Sequence, residues 1–315
     1  MATSRNPMDS MKSTWRTWDQ DQWKLPHKTF ERVNVYHIDL NRKVPIHPKE
    51  DKIPYVSDWS LNRWVLITSG VPLLVHQFFT YFTGYNFHPI IAFFYYYQAS
   101  RLLTTRELRT LRELGHTYGF LDGDKHERDG VPDVGVSKAL ISVMLAGFVR
   151  PLMTVWLTYD ANKAPASLSW PWLLVEISLY GIILDFWFYW YHRVMHDVNG
   201  LWKFHRTHHL TKHPNPLLTI YADSEQEFFD IAGIPLMTWF TMKLMASGWT
   251  IFPDPRPPDA LSGAVVSSSP RDLPQLAEIS FMLQSPSGGC LSWKLTRRIR
   301  DPQAPTATIL SRHPD

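Results

Sequence analysis

Cysteine is almost absent from this sequence, since Cys290 is the single one among 315 residues. One thiol excludes an intramolecular disulfide framework and any zinc or iron–sulfur site built from several cysteines. Charged side chains are also sparse, at 19% against roughly 25% in ordinary soluble domains. The 32 basic and 29 acidic residues nearly cancel, and a net charge of +3 gives no electrostatic footprint for nucleic acid. We therefore expect no nucleic-acid partner.

Charge is sparse or missing in several long stretches that are rich in aromatic and aliphatic residues. Because a bilayer core takes about 20 residues of α-helix, these runs predict an all-α integral membrane protein, a bundle of about four or more transmembrane helices. The first two runs are separated by a short polar turn and predict a tight helical hairpin, with a buried hairpin of a soluble protein as the alternative. The runs are 64–82, 87–99, 136–159, 170–191 and 228–252.

Composition divides the chain into three predicted parts. Residues 1–59 are polar and lack the succession of basic, apolar and small residues that marks a cleavable signal peptide. Residues 60–252 hold the apolar runs and form the predicted membrane domain. Residues 253–315 contain 10 of the 24 prolines and the serine run 267–269, which predicts a disordered or non-homologous tail.

Basic residues indicate how the predicted spans are oriented. Leucines alternate with charges at helical spacing in 101–133, which predicts a short amphipathic helix at a membrane surface, or a surface helix of any globular protein. Four spans before residue 192 would place the N-terminus, 101–133 and the segment after Tyr191 on one side. The loops on the opposite side, 83–87 and 160–169, hold a single basic residue, Lys163. The positive-inside rule therefore predicts that the shared side is cytosolic. Its basic residues include Arg101, Arg106, Arg109, Arg112, Arg193, Lys203, Arg206 and Lys212.

Histidines are concentrated directly after the fourth run, in two motifs. Helical spacing i, i+3 and i+4 places side chains on one face, so each motif would aim its imidazoles in one direction. Neutral imidazole suits iron, zinc and copper, and five imidazoles exceed what one tetrahedral zinc takes from a protein. The pattern predicts two metals, or one metal with surplus ligands; a histidine-rich surface loop or a pH-sensing cluster is the alternative. The motifs are H-x-x-x-H, with His192 and His196, and H-x-x-H-H, with His205, His208 and His209.

The stretch from Asp185 to His209, followed by Asn215-Pro216 and Tyr221-Ala222, resembles the fatty acid hydroxylase / sterol desaturase superfamily. This resemblance implies a non-haem, O2-dependent oxidase with two iron ions in a cytosolic, histidine-lined site. It implies a multi-pass location in the endoplasmic reticulum membrane and a lipid, sterol or terpenoid-like substrate that is hydroxylated or desaturated. Electrons would come from a donor such as cytochrome b5 with an NAD(P)H reductase.

Three further residues are secondary candidates around this site. Asp223 stands where the family commonly has histidine, and it is either a carboxylate ligand or a helix N-cap. His213 is either a ligand or a loop residue. Asp185 lies two helical turns before His192, where it would be a hydrogen-bonding partner of a ligand histidine or a packed core carboxyl.

The family's second H-x-x-H-H motif, near the C-terminus, is missing, because His313 is the only histidine after His213. We interpret this as a truncated end, such as a retained intron or frame shift, with a natural subfamily as the alternative. The alternative function is then a catalytically impaired member without a complete metal site. A zinc hydrolase is disfavoured, since neither motif encloses the glutamate of H-E-x-x-H.

Overall fold

A computed structural model describes most of the chain up to residue 249. The predicted tail, 253–315, lies outside the described residues, as does His213. The described residues are 7–36, 38–48, 57–119, 123, 125–167, 170–211, 215, 217–218 and 221–249.

These residues fold as helices, with no β-strand among them, which confirms the all-α prediction at this level. Short 3₁₀ helices lie between several of the longer elements, and a π-helix, Phe229–Gly233, joins the last two. The α-helices are α1 (Leu25–Val33), α2 (Asp58–Thr83), α3 (Pro89–Tyr118), α4 (His126–Asp129), α5 (Val136–Thr158), α6 (Trp170–Asp197), α7 (Asn199–His205), α8 (Ser224–Phe228) and α9 (Ile234–Trp249).

The predicted hairpin is confirmed as α2 and α3. Helix α2 ends at Gly84, whose φ of 70° is a left-handed conformation that glycine adopts without steric cost. Helix α3 begins with Pro89 after His88, whose side chain accepts a hydrogen bond from the Ile90 N–H. The two helices are also linked by the Tyr95 hydroxyl, which donates to the Pro72 carbonyl at 2.7 Å.

The second arm of the hairpin is longer than the sequence predicts. The apolar run 87–99 and the amphipathic segment that follows it form one uninterrupted helix, α3, of 30 residues. The prediction of a separate short helix was wrong, because the change from apolar to charged residues is not accompanied by a helix breaker. Ala99, Ser100 and Arg101 stand at the junction, and none of them interrupts a helix as glycine or proline does.

Two groups of loops meet at opposite ends of the long helices. At one end the Asn86 amide donates to the Lys163 carbonyl at 2.8 Å, which joins the hairpin turn to the loop after α5. At the other end the N-terminal segment packs on α5. Buried Trp15 belongs to the same hydrophobic cluster as Val136 and Ala139.

Large apolar side chains cover the outside of the long helices. Within the described residues, two segments are long and apolar enough to cross a membrane: Asn62–Thr83, which lies within α2, and His126–Thr158, which contains α5. Exposed apolar surface on this scale marks a site of contact with lipid or another protein. We call these side chains the apolar belt, and its most exposed members include Ile67, Phe78, Phe82, Ile90, Ile141, Trp156, Ile182 and Phe240.

Candidate metal centre

The first histidine motif lies in the last two turns of α6. This helix runs without interruption to Asp197, beyond the apolar run that predicts it. His192 and His196 are four residues apart and therefore lie on one face. Their Nε2 atoms are 3.1 Å apart.

A sharp reversal brings the second motif against the first. Helix α6 ends, and Val198 precedes α7 in an extended conformation, with its carbonyl accepting from the Leu201 N–H at 2.8 Å. His205 is the last residue of α7, and a 3₁₀ helix, Arg206–Leu210, carries the other two histidines. Ring centroids are 4.4 Å apart for His192 and His205, and 4.7 Å apart for His196 and His209.

Four imidazoles therefore converge on one point. One nitrogen from each of His192, His196, His205 and His209 lies within 4.8 Å of the other three. The Nε2 atoms of His205 and His209 are 2.9 Å apart, close to the spacing in the other pair. Two nitrogens each about 2.1 Å from one ion, at right angles, would lie about 3.0 Å apart. The arrangement fits a single ion that prefers nitrogen ligands, such as iron, zinc or copper.

Burial keeps the imidazoles of His205 and His208 in the neutral form that can bind a metal. His205 has no solvent exposure. Its pKa is lowered to about 3, first because burial disfavours the cation and then because neighbouring imidazoles repel it. The pKa of His208 is also lowered, mainly by burial. Near neutral pH both rings carry a lone pair instead of a second proton.

His208 lies at the margin of the group of four. Its ring centroid is 5.7 Å from that of His205 and 6.5 Å from that of His192. The four converging histidines supply nitrogens for one ion. Of the described histidines in the two motifs, His208 is the one left for a second ion.

The two carboxylates that the sequence singles out lie apart from this group. Both Asp223 oxygens are engaged, one by the Lys138 ammonium and the other by the Thr207 hydroxyl at 2.7 Å. Asp223 stands at the N-cap position of α8, but its side chain makes no capping bond. Asp185 is an exposed residue of α6, and its carboxylate has no hydrogen bond to a histidine within the described residues.

Trp202 and Thr207 also contact the site, although the histidine spacing does not predict either of them. The Trp202 ring lies 5.2 Å from the ring of His196 and 5.5 Å from that of His209, so it covers one side of the group. Its position one helical turn before His205 is the signal that could have identified it. Thr207 lies inside the second motif, and its contact with Asp223, 16 residues away, has no signature in the spacing.

Comparison with known proteins adds to this geometry. Residues 177–253 match the family model described as fatty acid hydroxylase, and this range covers both histidine motifs. The chain is 42% identical over 217 residues to the fatty acid hydroxylase vlmA of a Lecanicillium species, which covers 64% of this chain and 59% of vlmA. These matches support a relationship between the chain and the fatty acid hydroxylase / sterol desaturase superfamily.

More distant members of this superfamily match shorter stretches. Alkylglycerol monooxygenase of Xenopus tropicalis is 30% identical over 96 residues, 30% of this chain and 20% of that enzyme. Human fatty acid hydroxylase domain-containing protein 2 is 25% identical over 95 residues, 30% of this chain and 28% of that protein. The chain thus spans less than two thirds of each relative. No solved structure matches the chain significantly.

Proposed function

We propose that this chain is an iron- and O2-dependent oxygenase that hydroxylates or desaturates a lipid in the endoplasmic reticulum membrane. The observation that carries the proposal is the convergence of four imidazoles on one point at the end of α6. The names of the matching relatives, fatty acid hydroxylase and alkylglycerol monooxygenase, support a lipid substrate. Iron held by these nitrogens would supply the oxidant that attack on an unactivated C–H bond needs, since side chains cannot supply it.

The residues around the histidines provide a route for an apolar substrate. The Phe188 ring lies 5.5 Å from the ring of His192, one turn nearer the middle of α6. The exposed side chains of Phe186 and Ile182, which belong to the apolar belt, lie on neighbouring faces of the same helix. A lipid chain would lie along this surface with its reacting carbon at the imidazoles. Trp202 would shield the opposite side from water.

The substrate would approach along α6, whereas electrons and protons would reach the site from the opposite side. Hydroxylation consumes O2, two electrons and two protons, and it releases one water for each oxygen atom inserted. We propose an external carrier such as cytochrome b5, reduced by an NAD(P)H reductase, as the electron donor. It would dock at the histidine end of the helices, where Lys203 and Arg206 lie. Two iron ions would take part if His208 and further ligands complete a second position.

The test is oxidation of lipid by the full chain in microsomes supplied with NADPH and labelled O2. We expect a hydroxylated lipid that carries the label or a desaturated lipid, and iron that copurifies with the chain in detergent. His196→Ala, made in parallel, should abolish the product. Absence of both iron and product in the unaltered chain would refute the proposal.

The second candidate is a catalytically impaired member of the superfamily, and the number of converging histidines supports it. The four converging histidines provide for one ion, whereas the resemblance implies two. The ratio of iron to protein separates the candidates. A ratio near two with turnover supports the dinuclear oxygenase, and a ratio of one or less without turnover supports the impaired form.

Orientation in the membrane is a further expected result. We propose that the end bearing the N-terminal segment and the histidines is cytosolic, and that the end where Asn86 meets Lys163 is lumenal. One Gly/Ser insert carrying a single glycosylation sequon is placed after Lys163, or after Lys43 as the matched control. The natural sequence has no N-x-[ST] sequon, so any glycan reports on the insert.

In microsomes the insert after Lys163 should be glycosylated and the insert after Lys43 should not. The measurement is a mobility shift that is reversed by endoglycosidase. Glycosylation of the Lys43 insert alone would invert the proposed orientation, and modification of both would contradict the predicted number of spans.

A further inference from the structure

The two residues that separate the histidines of the second motif are both tied to carboxylates. The Arg206 guanidinium binds Asp9 through two hydrogen bonds, of 2.9 Å and 2.5 Å. The adjacent Thr207 hydroxyl donates to Asp223 at 2.7 Å. Each residue between His205 and His208 is thus held from a different part of the chain.

The carboxylates are themselves held by the rest of the fold. Asp223 forms an ion pair with Lys138, which lies near the start of α5. Asp9 precedes a stretch whose backbone is fixed on the loop before α5. There the N–H groups of Thr14 and Trp15 donate to the Asp133 carboxylate at 2.6 Å and 2.9 Å. Both connections therefore end on α5 or on the loop that leads into it.

The second motif needs such support more than the first. His192 and His196 lie on a helix of 28 residues, whose backbone bonds fix their positions. His208 and His209 lie on a 3₁₀ helix of five residues. Such helices have poor hydrogen-bond geometry and form only short pieces, so their position depends on outside contacts.

The Asp9–Arg206 pair also contributes little to overall stability. The side chains are 22% and 44% exposed, and an ion pair with this exposure contributes little to the free energy of unfolding because solvent screens it. Its two parallel bonds nevertheless fix the direction of the guanidinium, and with it the backbone that joins His205 to His208. The pair is suited to set geometry without deciding whether the chain folds.

We propose that Asp9 and Asp223 are positioning residues of the metal centre. Through Arg206 and Thr207 they hold the second motif in the orientation that joins His205 and His209 to the first pair, so the N-terminal segment is part of the centre. The inference rests on metal binding by the four histidines. It assigns Asp223 to positioning and not to ligation.

The test exchanges the charges of the exposed pair in the full chain, purified in detergent and loaded with Co²⁺. Asp9→Arg and Arg206→Asp should each speed loss of Co²⁺ to a chelator by about tenfold or more and weaken its visible absorption bands, as changes in residues that orient ligands do. The double exchange should restore both to within about threefold. Thr207→Val should act like the single exchanges, since it keeps the shape and removes the hydroxyl.

Two controls separate the possible failures. Lys12→Glu breaks the exposed Lys12–Glu127 contact of the same segment, at 3.7 Å, and should leave the release rate unchanged. His196→Ala should lose Co²⁺ even though the Asp9–Arg206 and Asp223–Thr207 contacts remain intact. If His196→Ala retains the metal, the proposed metal site is wrong. If it loses the metal while Asp9→Arg and Thr207→Val release it at the normal rate, or if the double exchange does not rescue, the positioning role is wrong.

Discussion

Replacing His196 or His209 by alanine is expected to remove most of the bound iron. Each supplies one of the four nitrogens that lie within 4.8 Å of one another. Changes in residues that merely orient ligands cost about 10- to 100-fold in metal affinity, so loss of a ligand should cost about 100-fold or more. Both side chains are exposed, and their truncation leaves the buried core intact. Iron per protein after gel filtration in detergent is the measurement.

Substitutions of two further histidines serve as controls for this result. His208→Ala should reduce iron less than either change, because its ring lies outside the group of four. His88 lies at the other end of the long helices, and asparagine at this position suits the N-cap of α3. The His88→Asn variant should therefore bind iron normally. Normal iron content in both His196→Ala and His209→Ala would show that the four nitrogens do not form the metal centre.

Trp15→Ala is expected to release the N-terminal segment. The Trp15 side chain is fully buried, its indole N–H donates to the Val131 carbonyl at 3.0 Å, and its ring packs against those of Trp23, His27 and Tyr36. Truncating a buried tryptophan costs about 3–5 kcal/mol. Since each 1.4 kcal/mol is a factor of ten, the opened fraction of the segment should rise by about 10² to 4 × 10³.

Limited trypsin digestion measures this opening through cleavage at Arg16, Lys24 and Lys28. Trp18→Ala is the matched control, because Trp18 is 37% exposed and its loss should change the cleavage rate only slightly. Trp15→Phe should fall between the two, since it keeps an aromatic ring and loses the indole hydrogen bond. Equal cleavage rates for Trp15→Ala and Trp18→Ala would contradict the packing described for the segment.

Local patterns in the sequence were enough to predict the hairpin and the histidine pairs. Gly84 and Pro89 mark the end of one helix and the start of the next, and the i, i+4 spacing of His192 and His196 fixes their common face. Contacts between distant segments have no such signature. Trp15 lies in the polar segment 1–59, yet it is fully buried and its indole N–H donates to Val131, 116 positions away.

The same limit applies around the candidate metal centre. The sequence around Asp223 suggests a metal ligand or a helix N-cap, whereas in the structure Asp223 binds Lys138, which lies 85 positions away. The charged residues that begin at Arg101 suggest the end of a helix, but α3 continues because no residue at this junction is a helix breaker. Propensity and spacing decide local structure, and long-range packing decides which polar groups meet.

The uninterrupted length of α3 connects the hairpin turn with the N-terminal segment. A helix of 30 residues is about 45 Å long, so its charged half lies far from the turn at Gly84. In that half Arg109 and Arg112 donate to the carbonyls of Val33 and Asn34, at 2.5 Å and 3.1 Å. The segment that supplies Asp9 to Arg206 is therefore also bound to α3, and one continuous helix links the hairpin turn to the segment that contacts the second histidine motif.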